Sequence, residues 1–253
     1  MSNKVIMALG LFIVISAFGM AQPSAAESMK GTKNKMPDKS FLQDCVFVSV
    51  DFQQDKRVHR KKIPPEWKKN GWTLEDTNAA TDFLFDIALP NARRVADSFR
   101  EMKKPLIFIY WGYQFKDGMD LAPAVRQNFM RQFGTDVGKW PHHISLDYSR
   151  PAEILGVKEG EYSIAKTDWN AFSSSNINFI LQNLGAKNLV FVGGHSGACL
   201  RQTAEAAKKL GYKILCIEDG TSNAVESSRK KDLEATGYDY IITTDEFLKL
   251  AKS

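Results

Sequence analysis

Cys199 stands where a thiol can act as a nucleophile. It ends the glycine-rich stretch VGGHSGAC at 192–199 and precedes LRQTAEAAKKLG at 200–211, which has the apolar spacing of an amphipathic helix. A cysteine at a helix N-terminus faces unpaired backbone N–H groups and the positive end of the helix dipole, and both favour the thiolate. A thiolate there can attack an acyl carbon while N–H groups of the preceding loop hold the oxyanion.

Asp51 and Lys166 are the reactive side chains that we expect near this thiol. Asp51 closes the strand-like run CVFVSVDF, and Lys166 closes the run EYSIAK. Asp51 can take the thiol proton and pass it to a departing amine, which is general base followed by general acid catalysis. Lys166 would lower the thiol pKa further. Each residue taken singly is equally well explained as a turn-capping aspartate or a solvated lysine, and their shared place with Cys199 favours catalysis.

The glycines at 193, 194 and 197 leave two interpretations open. They suit a loop whose backbone approaches a ligand closely, and they suit an ordinary tight turn between a strand and a helix. The stretch is not a phosphate-binding loop, because it lacks both the GxGxxG spacing and a following GK[ST].

The other two cysteines have a structural interpretation. The chain has only three cysteines, and Cys45 and Cys216 lie inside apolar strand runs, where cysteine usually behaves as a small buried hydrophobe. A Cys45–Cys216 bridge is the alternative. If another strand separates theirs, the spacing of about 10 Å is too wide for a disulfide.

Five short apolar runs alternate with helical patterns and predict the elements that position these residues. Such alternation indicates an α/β fold with a mainly parallel sheet and helices on both faces. Ligands of such sheets bind beyond the carboxyl ends of the strands, which is where Asp51, Lys166 and Cys199 fall. The predicted strands are 45–52, 105–111, 161–166, 188–194 and 213–219.

The sequences of two connecting helices show recognisable helix signals. The stretch SSSNINFILQNLG at 173–185 places serines at the predicted N-cap and a glycine at the C-terminal end. The helix after Cys199 carries an apolar stripe for packing against the sheet, formed by Leu200, Thr203, Ala204, Ala207 and Leu210.

The N-terminal segment predicts export. Residues 1–26 contain one lysine, a long apolar run and then small residues, which is the pattern of a secretory signal peptide, with an uncleaved membrane anchor as the alternative. We expect a periplasmic or secreted protein without stable membrane insertion after cleavage, because no later segment is apolar for long enough to span a bilayer. Residues 27–40 are polar and predict a flexible lead-in, and 41–253 predict one domain.

The net charge of +5 is too small to argue for nucleic acid. The basic stretch DKRVHRKK at 55–62 can be a solvated loop or a contact with an anionic surface.

Three ordered motifs together resemble the isochorismatase-like family of cysteine hydrolases, which includes nicotinamidases and N-carbamoylsarcosine amidohydrolase. They are VSVDFQ at 48–53, IAKTDWNAF at 164–172 and LVFVGGHSGACLRQTAEAAKKLGYKILCIEDG at 189–220, and the resemblance runs from about 44 to about 245. It implies a three-layer α/β/α fold of Rossmann-like topology, a small-molecule amide as substrate and no cofactor. A homo-oligomer is one of the assembly states that it leaves open.

The resemblance also assigns roles to residues. It implies a catalytic triad of Asp51, Lys166 and Cys199, a cis peptide between Gly194 and His195, and an oxyanion hole formed by the backbone N–H groups of His195 and Cys199. The His195 side chain is unusual, since the family commonly has a small residue there. It can contact substrate, assist proton transfer, or hydrogen-bond within the loop.

Departures from the family pattern bear on the pocket and on metal binding. Lys56 stands where the first motif usually has a phenylalanine, which predicts an altered pocket. The metal-binding histidine arrangements of some nicotinamidases are absent: His59 stands alone, and His142 and His143 have no carboxylate at ligand spacing. We therefore expect no metal. The candidate pocket residues, each with a core position as its alternative, are Phe52, Trp111, Tyr113, Trp169 and Phe172.

These observations favour an exported amidohydrolase that cleaves a small amide or ureido C–N bond through a thioester on Cys199. One alternative is hydrolysis of a vinyl ether of the isochorismate type, although family members of that type lack the nucleophilic cysteine. Another is a non-catalytic binding or redox protein in which Cys199 is oxidised.

Overall fold

The computed structural model describes residues 35–53 and 56–253. The predicted signal segment at 1–26 and the first part of the predicted lead-in lie outside the described residues. The last part of the lead-in enters a 3-10 helix, Lys39–Leu42, whose first turn is capped by the Asp38 side chain.

Six parallel strands form one sheet. In chain order they are β1 (Cys45–Val50), β2 (Leu106–Trp111), β3 (Tyr162–Lys166), β4 (Asn188–Gly193), β5 (Lys213–Thr221) and β6 (Tyr240–Ile242). Their spatial order is β3-β2-β1-β4-β5-β6, and every pairing is parallel, which confirms the predicted sheet. β2 and β3 lie on one side of β1, and the later strands β4, β5 and β6 lie on the other side. The direction of strand order therefore switches between β1 and β4. Crevices at such switch points are where ligands of open α/β sheets bind.

Helices connect the strands. They are α1 (Pro65–Lys69), α2 (Leu74–Phe83), α3 (Leu89–Glu101), α4 (Pro123–Phe133), α5 (Ala171–Ser174), α6 (Ile177–Asn183), α7 (Cys199–Lys209), α8 (Glu226–Ala235) and α9 (Thr244–Lys252). A π-helical turn, Leu84–Ala88, joins α2 to α3. In the part of the chain described here, no helix combines the length and apolarity needed to cross a bilayer.

The sheet has an apolar core on each face, as a three-layer fold requires. Along β1, Phe47 points to one core together with residues of α3 and α9, whereas Val46 and Val48 point to the other together with residues of α6 and α7. Because both faces are covered, the central strands β1 and β4 are buried along their whole length, whereas the edge strand β3 begins with the exposed Tyr162 and Ser163. Cys45 and Cys216 are buried and free, and β4 lies between their strands.

Two details differ from the sequence-based expectation. The N-cap of α6 is Asn176 and not a serine, although Ser175 Oγ accepts a hydrogen bond from the Ile177 N–H at 3.3 Å. Ser174 and Ser175 also donate hydrogen bonds to the carbonyls of Asn170 and Ala171, within α5 and its cap. Leu210 is 53% exposed, because α7 ends at Lys209 and the chain leaves the packed face there.

Candidate active site

The structure brings Asp51, Lys166 and Cys199 together at the carboxyl edge of the sheet. Asp51 follows β1, Lys166 is the last residue of β3, and Cys199 is the first residue of α7. Lys166 Nζ lies 3.0 Å from Asp51 Oδ2, with the two side chains 0% and 7% exposed. The Cys199 thiol interacts electrostatically with both partners, since the Asp51 carboxylate raises the pKa of the thiol and Lys166 lowers it. Three groups far apart in the chain thus form one buried, interacting set.

Gln53 and Trp111 order the residues around the Asp51–Lys166 pair. Gln53 Oε1 accepts a hydrogen bond from the Trp111 backbone N–H at 2.7 Å, and its Nε2 donates to the Trp111 carbonyl at 3.1 Å and to the Tyr148 carbonyl at 3.2 Å. This buried amide ties the segment after β1 to the end of β2. The Trp111 ring lies 3.6 Å from Lys166 Nζ, so its π face stabilises the buried ammonium.

The loop before Cys199 is fixed by backbone hydrogen bonds to its neighbours. Gly194 N–H donates to the Val50 carbonyl at 2.8 Å, and Ser196 N–H donates to the Ser222 carbonyl at 2.9 Å. Gly193 has φ of +126°, and a Cβ there would fall 2.1 Å from the Val50 oxygen. Only glycine satisfies both conditions.

Three backbone N–H groups of this loop, those of His195, Gly197 and Cys199, have no acceptor among the described residues. The Gly194–His195 peptide is cis, at the position that the resemblance implied. The Cys199 N–H belongs to the first turn of α7, whose donors lack intrahelical partners. These donors suit an oxyanion formed next to the sulfur.

The resting thiol differs from the sequence-based expectation. Burial raises the pKa of the Cys199 thiol to about 12, since desolvation outweighs the lowering by Lys166 and the Asp51 charge raises the value further. The prediction of a resting thiolate is therefore wrong. Burial also raises the pKa of Asp51, while Lys166, Cys199 and Trp111 favour its charged form. Attack by Cys199 thus requires transfer of the thiol proton to a base.

A protonated resting thiol predicts a distinctive alkylation profile. We expect the rate at which iodoacetamide modifies Cys199 to rise about tenfold per pH unit between about pH 7 and pH 10, because the thiolate fraction grows with each unit below the pKa. Mass spectrometry of the tryptic peptide 188–201 would follow Cys199 alone. A rate that levels off below about pH 8 would show a resting thiolate and contradict this assignment.

The buried ion pair predicts coupled stability changes. Lys166→Met should lower the free energy of unfolding by about 3 kcal/mol, because it leaves the Asp51 carboxyl buried without its partner. Adding Asp51→Asn to Lys166→Met should cost less than the sum of the two single changes. Urea unfolding of the four proteins measures this coupling. Strict additivity would mean that the two groups do not form a pair in the folded protein.

A small cleft lies beside the triad. Its interior volume is about 10 Å³, room for about one water molecule, and it is lined by Asp51, Phe52, Gln53, Leu84, Leu89, Gly194, His195 and Ser222. Its far wall comes from the π-helical turn and the start of α3. Nothing in the sequence marks Leu84 or Leu89 as a wall, whereas the place of Ser222 directly after β5 could have indicated it.

The five predicted pocket residues have different positions. Phe52 lines the cleft, and Trp111 contacts Lys166. The prediction that Tyr113 lines the pocket is wrong. Tyr113 is 2% exposed and packs with Trp140 in a separate apolar cluster, away from the cleft. Trp169 is half-buried against two apolar clusters, and the Phe172 ring packs 6.2 Å from that of Tyr212.

His142 lies near the site in a role that the sequence did not suggest. Its ring centroid is 6.2 Å from that of Trp111 and 6.0 Å from that of Tyr148, and its backbone has φ of +71°. Burial and the charge of Lys166 lower the pKa of His142 to about 4. A neutral imidazole therefore packs beside Trp111, close enough to Lys166 to be affected by its charge.

Metal-binding groups do not gather in this region. Within the residues that the structure describes, no three histidine, cysteine, aspartate or glutamate side chains lie close enough to hold a metal ion. His59 pairs instead with Asp82 at 2.8 Å on the surface.

Comparisons with known proteins agree with this architecture. The family model described as "Isochorismatase domain" matches residues 45–246. The uncharacterized isochorismatase family protein YwoC of Bacillus subtilis is 27% identical over 172 residues, covering 65% of this chain and 83% of that protein. The ureidoacrylate amidohydrolase RutB of Rhizobium rhizogenes is 27% identical over 150 residues, covering 54% of this chain and 60% of that protein.

A solved structure shares the fold. The N-carbamoylsarcosine amidase of Thermoplasma acidophilum superposes with a TM-score of 0.56 at 20% sequence identity, covering 80% of this chain and 97% of that one. The family match spans most of the chain, and the parallel α/β sheet agrees with it. The chain belongs to the isochorismatase-like family of cysteine hydrolases.

Proposed function

We propose that this chain is an amidohydrolase that cleaves a small amide or ureido C–N bond through a thioester on Cys199. The observation that carries the proposal is the buried set in which the Cys199 thiol meets an Asp51 carboxylate paired with Lys166 at 3.0 Å. Such a set supplies a nucleophile, a base and a fixed positive charge within one small volume.

The first half of the reaction forms the thioester. Asp51 takes the thiol proton as the sulfur of Cys199 bonds to the carbonyl carbon, and the carbonyl oxygen becomes an oxyanion. The N–H groups of His195 and Cys199 stabilise that charge. When the tetrahedral intermediate collapses, the C–N bond breaks and the protonated Asp51 gives its proton to the leaving nitrogen, so that ammonia or an amine departs.

The second half restores the enzyme. Asp51, again a carboxylate, takes a proton from water, whose oxygen attacks the thioester carbon. The C–S bond then breaks, the acid product leaves, and the sulfur regains a proton from Asp51. Lys166 favours the carboxylate in both halves and balances the negative charge that passes between oxygen and sulfur.

Two further facts support C–N hydrolysis over the alternatives. The matched relative RutB is named for hydrolysis of an amide bond of ureidoacrylate. Oxidation of a cysteine depends on its thiolate character and on its exposure. Because Cys199 is buried and the pKa of its thiol is raised, a redox role is disfavoured.

A panel assay tests the proposed reaction. Ammonia release is measured for small primary amides and N-carbamoyl compounds with the wild-type protein and with Cys199→Ala. We expect release from at least one class and its loss in the variant. Release that is equal in both proteins would remove the thioester mechanism, and turnover of a vinyl ether alone would favour the isochorismate-type alternative.

We also propose export, on the strength of the apolar segment within 1–26. N-terminal sequencing of the protein recovered from cells that express the full chain should find a new terminus near residue 22 or 27. A protein that keeps Met1 and stays with the cytosolic fraction would overturn this proposal.

A further inference from the structure

His195 places an imidazole in the wall of the cleft beside the triad. The residue is 8% exposed and lines the cleft together with Asp51, Gly194 and Ser222. Its Nδ1 atom is buried and has no hydrogen-bond partner among the described residues. Buried polar side-chain atoms are nearly always partnered in folded proteins. An unpartnered ring nitrogen in the wall of a cleft is thus available to a hydrogen-bond donor of a molecule bound there.

The imidazole is neutral and can accept a hydrogen bond. Burial lowers the pKa of His195 to about 3, with the Asn223 backbone opposing the shift and Arg60 adding to it. A neutral imidazole has one N–H donor and one acceptor nitrogen. A backbone group that raises a histidine pKa favours an N–H on the ring nitrogen that faces it. With the ring proton on Nε2, the unpartnered Nδ1 is left as the acceptor.

The other walls of the cleft offer a ligand few polar partners. Phe52, Leu84 and Leu89 contribute apolar surface, and Ser222 contributes one hydroxyl. The Gln53 amide also lines the cleft, but both of its ends are already bonded to the backbone of the β2 end and of Tyr148. Two residues of this lining have titratable side chains, Asp51 and His195. Because Asp51 transfers protons in the proposed reaction, the His195 imidazole is the one left to bind the substrate.

The position of His195 relates the imidazole to the scissile carbonyl. The backbone N–H of the same residue is one of the two oxyanion donors, so a carbonyl held there has the imidazole beside it. The carbonyl carbon carries three groups. The oxygen lies in the oxyanion hole and the leaving nitrogen lies at Asp51, so the third substituent is the one that faces the imidazole. In a ureido compound that substituent begins with N–H, and in a simple amide it begins with carbon.

We infer that the His195 imidazole accepts a hydrogen bond from the substrate N–H next to the scissile carbonyl and so selects ureido compounds over simple amides. This inference rests on the proposed function. His195 is then a specificity-determining residue whose side chain and backbone act on the same substrate group. An amide with CH₂ at that position leaves the buried nitrogen unpaired, which is a strong basis for discrimination.

A matched substrate pair tests this role. N-carbamoylglycine and succinamate differ by NH in place of CH₂ next to the carbonyl. We expect wild-type kcat/KM to favour N-carbamoylglycine by about tenfold or more, and His195→Ala to bring the ratio close to one, mainly through a higher KM for the ureido compound. His195→Asn, whose side-chain oxygen can accept in place of Nδ1, should keep part of the preference. The exposed His59 provides the control, and His59→Ala should leave the ratio unchanged.

A binding measurement separates this inference from the proposed reaction. Calorimetry with Cys199→Ala should show the same preference for N-carbamoylglycine over succinamate, and Cys199→Ala/His195→Ala should lose it. Thermal unfolding confirms that each variant is folded. If the wild-type protein releases no ammonia through Cys199 yet these binding ratios hold, the reaction fails and the role of His195 stands. Equal binding of the two ligands, a ratio that His195→Ala leaves unchanged, or no binding of the ureido ligand overturns the inference.

Discussion

Replacing Cys199 by alanine should lower kcat for amide hydrolysis by at least about 10⁴-fold. Removal of a catalytic nucleophile leaves only the contribution of the oxyanion donors and of substrate binding. Cys199→Ser should be almost as inactive, because the less acidic hydroxyl must give its proton to the same carboxylate. Ammonia release under saturating substrate measures both variants.

Both variants should fold, which makes the loss interpretable. Cys199 is buried at the start of α7, and alanine and serine are close to it in size. We expect substrate still to bind these proteins, since the backbone donors are unchanged. Residual activity within about tenfold of the wild-type value in a folded, substrate-binding variant would show that sulfur does not form the bond.

Asp51→Asn should lower kcat by about 10³-fold, the second largest effect that we expect. The amide has nearly the same shape but cannot accept the thiol proton, and general base catalysis typically contributes about 10²–10⁴-fold. With the pKa of Cys199 raised to about 12, very little thiolate forms without that base. Stopped-flow or steady-state assays of ammonia release measure the change.

The pH dependence identifies the base. The active form of Asp51 is the carboxylate, so kcat/KM should rise as pH increases through the Asp51 pKa, which burial places above its ordinary value of 3.8. In Asp51→Asn this rise should disappear, and the remaining activity should increase with pH toward the thiol pKa. An acid limb that persists in Asp51→Asn would assign the titration to another group.

The convergence of Asp51, Lys166 and Cys199 was predictable because each of them lies next to a strong local pattern. Asp51 and Lys166 end apolar β-branched runs, and parallel strands bring their carboxyl ends to one edge of the sheet. Cys199 follows a stretch rich in glycine. Gly193 is required there because a Cβ at this position would clash with the Val50 backbone. These features are local in sequence, and the parallel topology then determines where they meet.

Features that depend on packing could not be predicted. The resting state of Cys199 is set by burial from many directions, which outweighs the helix N-terminus and Lys166 that the sequence reveals. Strand β6 has only three residues and too short a pattern to recognise. The cleft wall at Leu84 and Leu89 depends on a π-helical turn, and Tyr113 follows the end of β2 yet enters a separate core cluster.

Trapping of the acyl-enzyme is the most direct test of covalent catalysis at Cys199. The enzyme is mixed with a hydrolysed substrate, quenched in acid during turnover, digested with trypsin and analysed by mass spectrometry. We predict that peptide 188–201 carries the mass of the acyl group on Cys199. The adduct should accumulate further in deuterium oxide if water attack limits turnover. Sustained turnover with an unmodified peptide 188–201, and with equal rates in Cys199→Ala, would contradict the mechanism.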